Sequence, residues 1–245
     1  MSQRHLRRRT LVFALPALVA ACSAAHVAET SSAPGILVEP RPARVLVYDF
    51  VTDWQSVSLD SGLAARIERE TGGTSVARQQ QAIAAEVQKT ISDALVRDIE
   101  AMGLRAARAT EATPVGRNDL LLRGRITRVS AGNQTRQRLI GFGAGQSEID
   151  ASAALFAAPS GQPPVLLERY AAASTSGRTP GLGLGAASAA AGHVGAAIAG
   201  TAAGATSRAR SGLSAEAKRL ASRLAHNLGQ FFHAEGWIPA PAVPG

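Results

Sequence analysis

One cysteine in 245 residues, Cys22, excludes an intrachain disulfide, so an oxidising compartment imposes no pairing problem. Histidine is nearly as scarce, and none falls in a metal-ligand spacing. His226 and His233 lie seven apart on one face of a helical pattern, with no carboxylate or cysteine to complete a set. No metal and no cofactor is therefore expected. Aromatic residues make up only 4% of the chain, and much of its 46% hydrophobic content is alanine, which points to a single modest core rather than two. There is also no basic run interleaved with aromatics. Four of the 26 basic residues, Arg4, Arg7, Arg8 and Arg9, fall in the first ten positions, and without them the formal charge of +8 halves. The remainder is spread along the chain, so no nucleic-acid partner is expected.

What the first 22 residues do contain is ordered. A basic start is followed by an apolar run from Leu11 to Ala21 with no acidic residue, then by small residues before Cys22. The run is too short to span a bilayer comfortably, and a core helix would not begin with four arginines. Val19-Ala20-Ala21-Cys22 resembles the bacterial lipobox, which implies cleavage after residue 21 and a diacylglycerol on the Cys22 thiol. Several acyl chains, each adding about 0.8 kcal/mol per buried methylene, make an anchor that hardly dissociates. Ser23 is not the aspartate that retains such proteins at the inner membrane of enteric bacteria, so the expected location is the periplasmic face of the outer membrane in a bacterial cell envelope.

The rest divides into a flexible tether over 22–43, one periplasmic domain over 44–238 carrying a Gly/Ala-rich insertion at 177–207, and a disordered tail over 239–245. The tether is small, polar and proline-bearing, with no apolar period. Arg44 to Val51 is near-continuously apolar, as a strand buried on both faces is. Between Thr52 and Gly73 large apolar residues are few, and a long connection is expected with at most a short helix over Leu63 to Arg69. Ile83, Val87, Ile91, Leu95, Ile99 and Met102 recur every three or four positions and predict a helix over Val76 to Met102, capped by Thr74 or Ser75 and ended by Gly103. Strands are predicted at Leu104 to Ala107, at Asp119 to Val129 with Leu122 and Ile126 inward, and at Gln146 to Ala157. The last of these forms a hairpin with Val165 to Ala172 through Ser160-Gly161. A second helix runs from Ser214 to about Glu235, its stripe made by Leu213, Ala217, Leu220, Leu224, Leu228 and Phe231. Gly236 ends it, and Trp237 and Ile238 fold back on the core. The order predicts an α+β fold, a mixed and mostly antiparallel sheet packed against two amphipathic helices.

The most individual passage is Gly132-Asn133, the basic stretch Arg136 to Arg138, and Leu139-Ile140-Gly141-Phe142-Gly143-Ala144-Gly145. With the Val-Leu-Val-Tyr-Asp-Phe strand, the long first helix and the Leu-Leu-Leu-Arg-Gly-Arg-Ile strand, it resembles the lipoproteins grouped as domain of unknown function 4410, over roughly 44–170. That resemblance implies a secreted, lipid-anchored domain with no assigned catalytic residues. More distantly, the element order is similar to the periplasmic domain of the curli-secretion lipoprotein channel and to the N-terminal domain of the Tol-system propeller protein.

Three further candidates remain. Gly141, Phe142, Gly143 and Gly145 have neither the spacing nor the following helix of a phosphate-binding loop, which leaves a structural loop or a contact with a partner or a second copy. From Gly181 to Thr206, Ser188, Gly192, Ala196, Gly200 and Gly204 repeat at every fourth position, the spacing that lets helices approach closely in lipid. Large side chains there are few and His193 sits near the middle, so a loop on the domain and a membrane-inserted or self-associating segment are both open readings. Asp49 and Asp53 flank Phe50, with no base or metal motif beside them, and read as turn and cap residues. The combined expectation is a non-enzymatic envelope lipoprotein with a binding or scaffold domain and a protein partner or self-association. The alternative is a pore or export-channel subunit using 181–206.

Overall fold

A computed structural model of the chain describes residues 24–32, 41–60, 70, 73, 75–133, 146–159, 162–176 and 205–239. Eight strands form one mixed sheet: β1 (Ala24–Ser32), β2 (Arg44–Tyr48), β3 (Val51–Thr52), β4 (Val57–Ser58), β5 (Ala106–Ala109), β6 (Asp119–Ser130), β7 (Glu148–Ala158) and β8 (Val165–Thr175). Two long helices among the described residues, α1 (Val76–Ala101) and α2 (Ala205–Ala234), give the α+β architecture. The sheet order is β1-β8-β7-β6-β2-β5, with β3 and β4 pairing β6 beyond the point where β2 stops. From β1 through β8 and β7 to β6 neighbours are antiparallel; β2, β3 and β4 run parallel to β6, and β5 runs parallel to β2.

The helix α1 forms where its period places it. Ser75 caps it by accepting from the Arg78 amide at 3.3 Å, and Gly103 closes it at φ +88°, which a side-chain-bearing residue adopts only with strain. Its buried stripe is Ile83, Val87, Ile91, Leu95 and Ile99. The helix α2 buries Leu213, Ala217, Leu220, Ala221, Leu224, Ala225 and Leu228. Its alanines let it lie close against Ala151, Ala153 and Ala172 of the sheet, so a chain poor in large side chains still closes a core. The two helices run in the same direction, since Ser214 bonds Glu86 at one level and Ser222 bonds Asp98 further along both.

Strand β6 alternates as the sequence requires, with Leu122 and Ile126 buried and Arg123, Arg125 and Thr127 exposed. A bulge between Ile126 and Arg128 then shifts the inward parity so that Val129 is buried. On the face away from the helices, Leu46, Tyr48, Ala109, Leu121 and Ala158 form a second, smaller apolar cluster. The connection 110–118 returns over this face: Arg44 donates to the Pro114 carbonyl at 2.8 Å, and Glu111 pairs with Arg123, whose guanidinium lies 4.4 Å from the Tyr48 ring centroid.

Four expectations need correction. Part of the flexible tether over 22–43 is instead β1, paired antiparallel along β8 from Ala24↔Thr175 to Ser32↔Glu168. Its sequence carries no strand pattern of its own, and the hydrogen-bonding edge of β8 supplies the conformation. The first strand stops at Tyr48 instead of reaching Val51, because the irregularity at Asp49-Phe50 turns Phe50 into the core, where it is fully buried. The short strand after α1 lies at 106–109, two residues later than expected. Finally, α2 begins at Ala205, nine residues before Ser214, and Phe232 rather than Phe231 is its fully buried aromatic, Phe231 being only partly covered. Trp237 and Ile238 do fold back, both buried. The short helix expected over Leu63 to Arg69 and the turn Ser160-Gly161 lie outside the described residues.

Candidate functional site

The register of the sheet brings the sequence candidates' neighbours to one end of the molecule. Ala24 pairs with Thr175, Thr175 with Glu148, Glu148 with Ser130, and Ser130 with Ser58, a continuous row across β1, β8, β7, β6 and β4. Cys22 precedes this row by two residues. The chain also leaves it at Asn133 and returns at Gln146, the flanks of Gly141, Phe142, Gly143 and Gly145, and leaves again at Ser176 towards Gly192, Gly200 and Gly204. All eight of those candidate residues, Cys22 included, lie outside the described residues.

Polar groups knit this end. The amide of Ser147 donates to the Ser176 hydroxyl at 2.9 Å, and the Ser176 amide donates to the Ser147 carbonyl at 2.9 Å, closing the open end of the β7–β8 hairpin. Beneath it, fully buried Glu216 of α2 accepts from the Ser174 hydroxyl at 2.7 Å and pairs with Arg219. A carboxylate here satisfies both oxygens and keeps its charge compensated, which is the condition for burying it at all. Glu216 stands outside the motifs of the sequence; its signal is a carboxylate on the apolar stripe of α2, three residues after Leu213 and four before Leu220.

On the open face of the same end, Asp150 lies near Arg128 at 3.7 Å and beside Glu148. Burial pushes its carboxyl above the ordinary value of 3.8, Glu148 pushes it the same way, and Arg128 opposes both. A folded-state value above the unfolded one means that the stabilising contribution is present at low pH and is lost as pH rises through the folded value. Asp150→Asn is accordingly expected to be slightly more stable than the parent at pH 7, and the advantage to vanish below pH 3.8, where both states carry the proton. Chemical denaturation of the two proteins at the two pH values checks the sign.

A second arrangement lies on the opposite flank, where Thr90, Asp93, Val96 and Arg97 of α1, Arg108 of β5 and Lys218 of α2 line a surface groove. Arg108 bonds Asp49 at 2.5 Å and Asp93 at 3.2 Å, and Lys89 pairs with Asp93. The Lys89 hydrogen bond, aided by Arg108, holds the Asp93 carboxyl below its usual range, and the bond to Asp49 raises Arg108. Both groups stay charged at physiological pH, each stabilised by the other's charge. Asp49 is thus an ion-pair partner, while Asp53 accepts from the Gln55 amide at 3.0 Å and caps a one-turn 3-10 helix. His226 meets Gln230 at 3.3 Å, and His233 donates to the Ile238 carbonyl at 3.3 Å, so the two histidines serve local structure. Among the described residues no cluster of His, Cys, Asp and Glu is arranged to hold a metal ion, and no helix is long and apolar enough to cross a membrane.

Comparison with known families matches residues 45–193 to the model described as Domain of unknown function (DUF4410). The chain belongs to the DUF4410 family. The matched span takes in β2 to β8, α1 and both glycine-rich passages up to residue 193, whereas β1 and α2 lie outside it. The family's description assigns no activity, so DUF4410 membership carries no catalytic residues to this chain. No curated protein matches it. Among solved structures, a PelC dodecamer from Paraburkholderia phytofirmans is similar at 13% identity and TM-score 0.34, covering 81% of this chain and 95% of that one. A point variant of that dodecamer gives 13% identity and TM-score 0.37, covering 82% and 94%. The crystal structure of an uncharacterised protein gives 12% and 0.34, covering 77% and 94%.

Proposed function

We propose that this DUF4410 protein is a non-enzymatic, lipid-anchored envelope protein, held through Cys22 at the periplasmic face of the outer membrane. Its domain then serves as a binding or scaffold module for a protein partner or for further copies of itself. The observation that carries the reading is the lone cysteine placed directly after a basic start, an apolar run and the small residues Ala20 and Ala21. The described residues support it from the other side. Buried Glu216 bonds Ser174 and Arg219, and Arg108 in the groove on α1 pairs with Asp49 and Asp93, so these charges are engaged in holding elements together.

Expression of the full precursor and of Cys22→Ala in a Gram-negative host, followed by separation of inner and outer membranes, tests the anchor. The parent is expected almost entirely in the outer-membrane fraction, since several acyl chains make dissociation negligible, and Cys22→Ala is expected to be absent from that fraction. A Cys22→Ala protein that still reaches the outer-membrane fraction overturns the anchor. The detergent-solubilised parent on a sizing column with mass detection then separates a tethered monomer from a ring of copies. A ring would favour the pore-subunit reading, in which 181–206 enters the bilayer.

A further inference from the structure

We infer that the end of the sheet formed by Ala24, Thr175, Glu148, Ser130 and Ser58 is the membrane-facing end of the domain, with the strands running away from the lipid surface. The inference rests on the proposed acylation of Cys22 and adds to it an orientation. Only Ser23 separates Cys22 from β1, whose pairing with β8 begins at Ala24↔Thr175. Two residues reach about 7 Å even when fully extended. The glycerol-linked thiol sits at the headgroup level, so Ala24 is held within that distance of it, and the domain has no spacer on which to stand off or tumble.

The row crosses five adjacent strands at one level, spanning about 19 Å at the ordinary strand spacing. A lipid surface that receives Ala24 therefore faces the end of the sheet to which this row belongs. The opposite end, where Arg44 pairs with Asp119, Asp119 with Ala158, and Ser32 with Glu168, lies a full strand length away. Helix polarity agrees with this assignment. Gln80, in the first turns of α1, donates to the Val57 carbonyl of β4 at 2.7 Å, and Glu216, in the first half of α2, reaches Ser174 of β8. Both parallel helices thus direct their amino ends, with their partial positive charge, toward the row and toward the phosphate layer of an anionic bilayer.

The two ends of the β7–β8 hairpin give the test. Since the acylated protein has no other thiol, Glu148→Cys and Gln162→Cys each place one reporter, the first in the row and the second, exposed, in the turn beyond the far ends of β7 and β8. The full-length acylated proteins, fluorophore-labelled, are reconstituted in phosphatidylethanolamine and phosphatidylglycerol vesicles carrying a headgroup nitroxide lipid. Quenching at 148 is expected to exceed that at 162 severalfold, and a flexible Gly/Ser linker inserted between Ser23 and Ala24 is expected to erase the difference. Equal quenching at the two positions without the linker, or stronger quenching at 162, overturns the orientation. Mass spectrometry of the amino-terminal peptide separates the two levels: an unacylated Cys22 removes the anchor and the orientation together, whereas an acylated Cys22 with undiscriminated reporters removes the orientation alone.

Discussion

Gly124→Ala is expected to destabilise the domain by about 2 kcal/mol, against the usual direction for replacing a glycine inside a strand. A Cβ built at Gly124 would come within 2.4 to 2.5 Å of the Phe50 ring atoms Cε2, Cδ2 and Cζ. Phe50 is fully buried, so the ring cannot swing into solvent; it must push on the surrounding core or leave its rotamer. The backbone-entropy gain from removing glycine, about 0.5 to 1 kcal/mol, is outweighed by that overpacking. The denaturant midpoint is expected to fall with an unchanged slope. Phe50→Leu in the same chain is expected to recover part of the loss, since the shorter side chain vacates the contact and the two sites couple. A Gly124→Ala protein as stable as the parent would show that the ring does not depend on the missing side chain.

The second large effect is expected at the carboxyl end of α2. Phe232 is fully buried and stands in a cluster with Trp237, 5.9 Å between ring centroids, and Phe231, 6.1 Å away. Phe232→Ala removes the largest side chain that α2 contributes to the core and leaves a cavity that rigid sheet and helix cannot fill, at a cost of about 4 kcal/mol. For a domain of this size that corresponds to a melting temperature lower by roughly 8 to 16 °C. Phe231→Ala is expected to cost distinctly less, because its ring is only partly covered, although it too packs edge-on against Trp237 at 5.7 Å. Thermal unfolding of the two variants side by side decides the order. Equal losses would mean that the cluster, rather than the core beneath it, holds the end of the helix.

Local chemistry accounts for what was legible in advance. The period of Ile83, Val87, Ile91, Leu95 and Ile99 marks a buried helical face whatever packs on it, and Ser75 and Gly103 mark its ends through backbone hydrogen bonds that neighbours in sequence satisfy. Alternation in 122–127 and 148–157 marks strands in the same way, and a turn between two such runs makes the hairpin pairing of β7 with β8 a local event. The glycine-rich passage at 141–145, with the first helix and the strands around it, carried the family resemblance; it falls within the matched span 45–193 but outside the described residues.

Other features depended on partners distant in sequence. Residues 24–32 contain one large apolar side chain, Val27, and read as tether; only the hydrogen-bonding edge of β8, more than a hundred residues later, makes them a strand. Phe50 turns inward because Gly124, across β6, leaves the space its ring fills, a fit that no window around either residue contains. Glu216 sits buried because Ser174 on another element meets its second oxygen. The sequence alone thus determined the two described helices and the alternating strands, because each is encoded in spacing over a few turns or a few residues. The tertiary structure decided that Ala24, Thr175, Glu148, Ser130 and Ser58 share one end of the sheet, because strand register is set by long-range hydrogen bonding and core packing, which act only once distant segments have met.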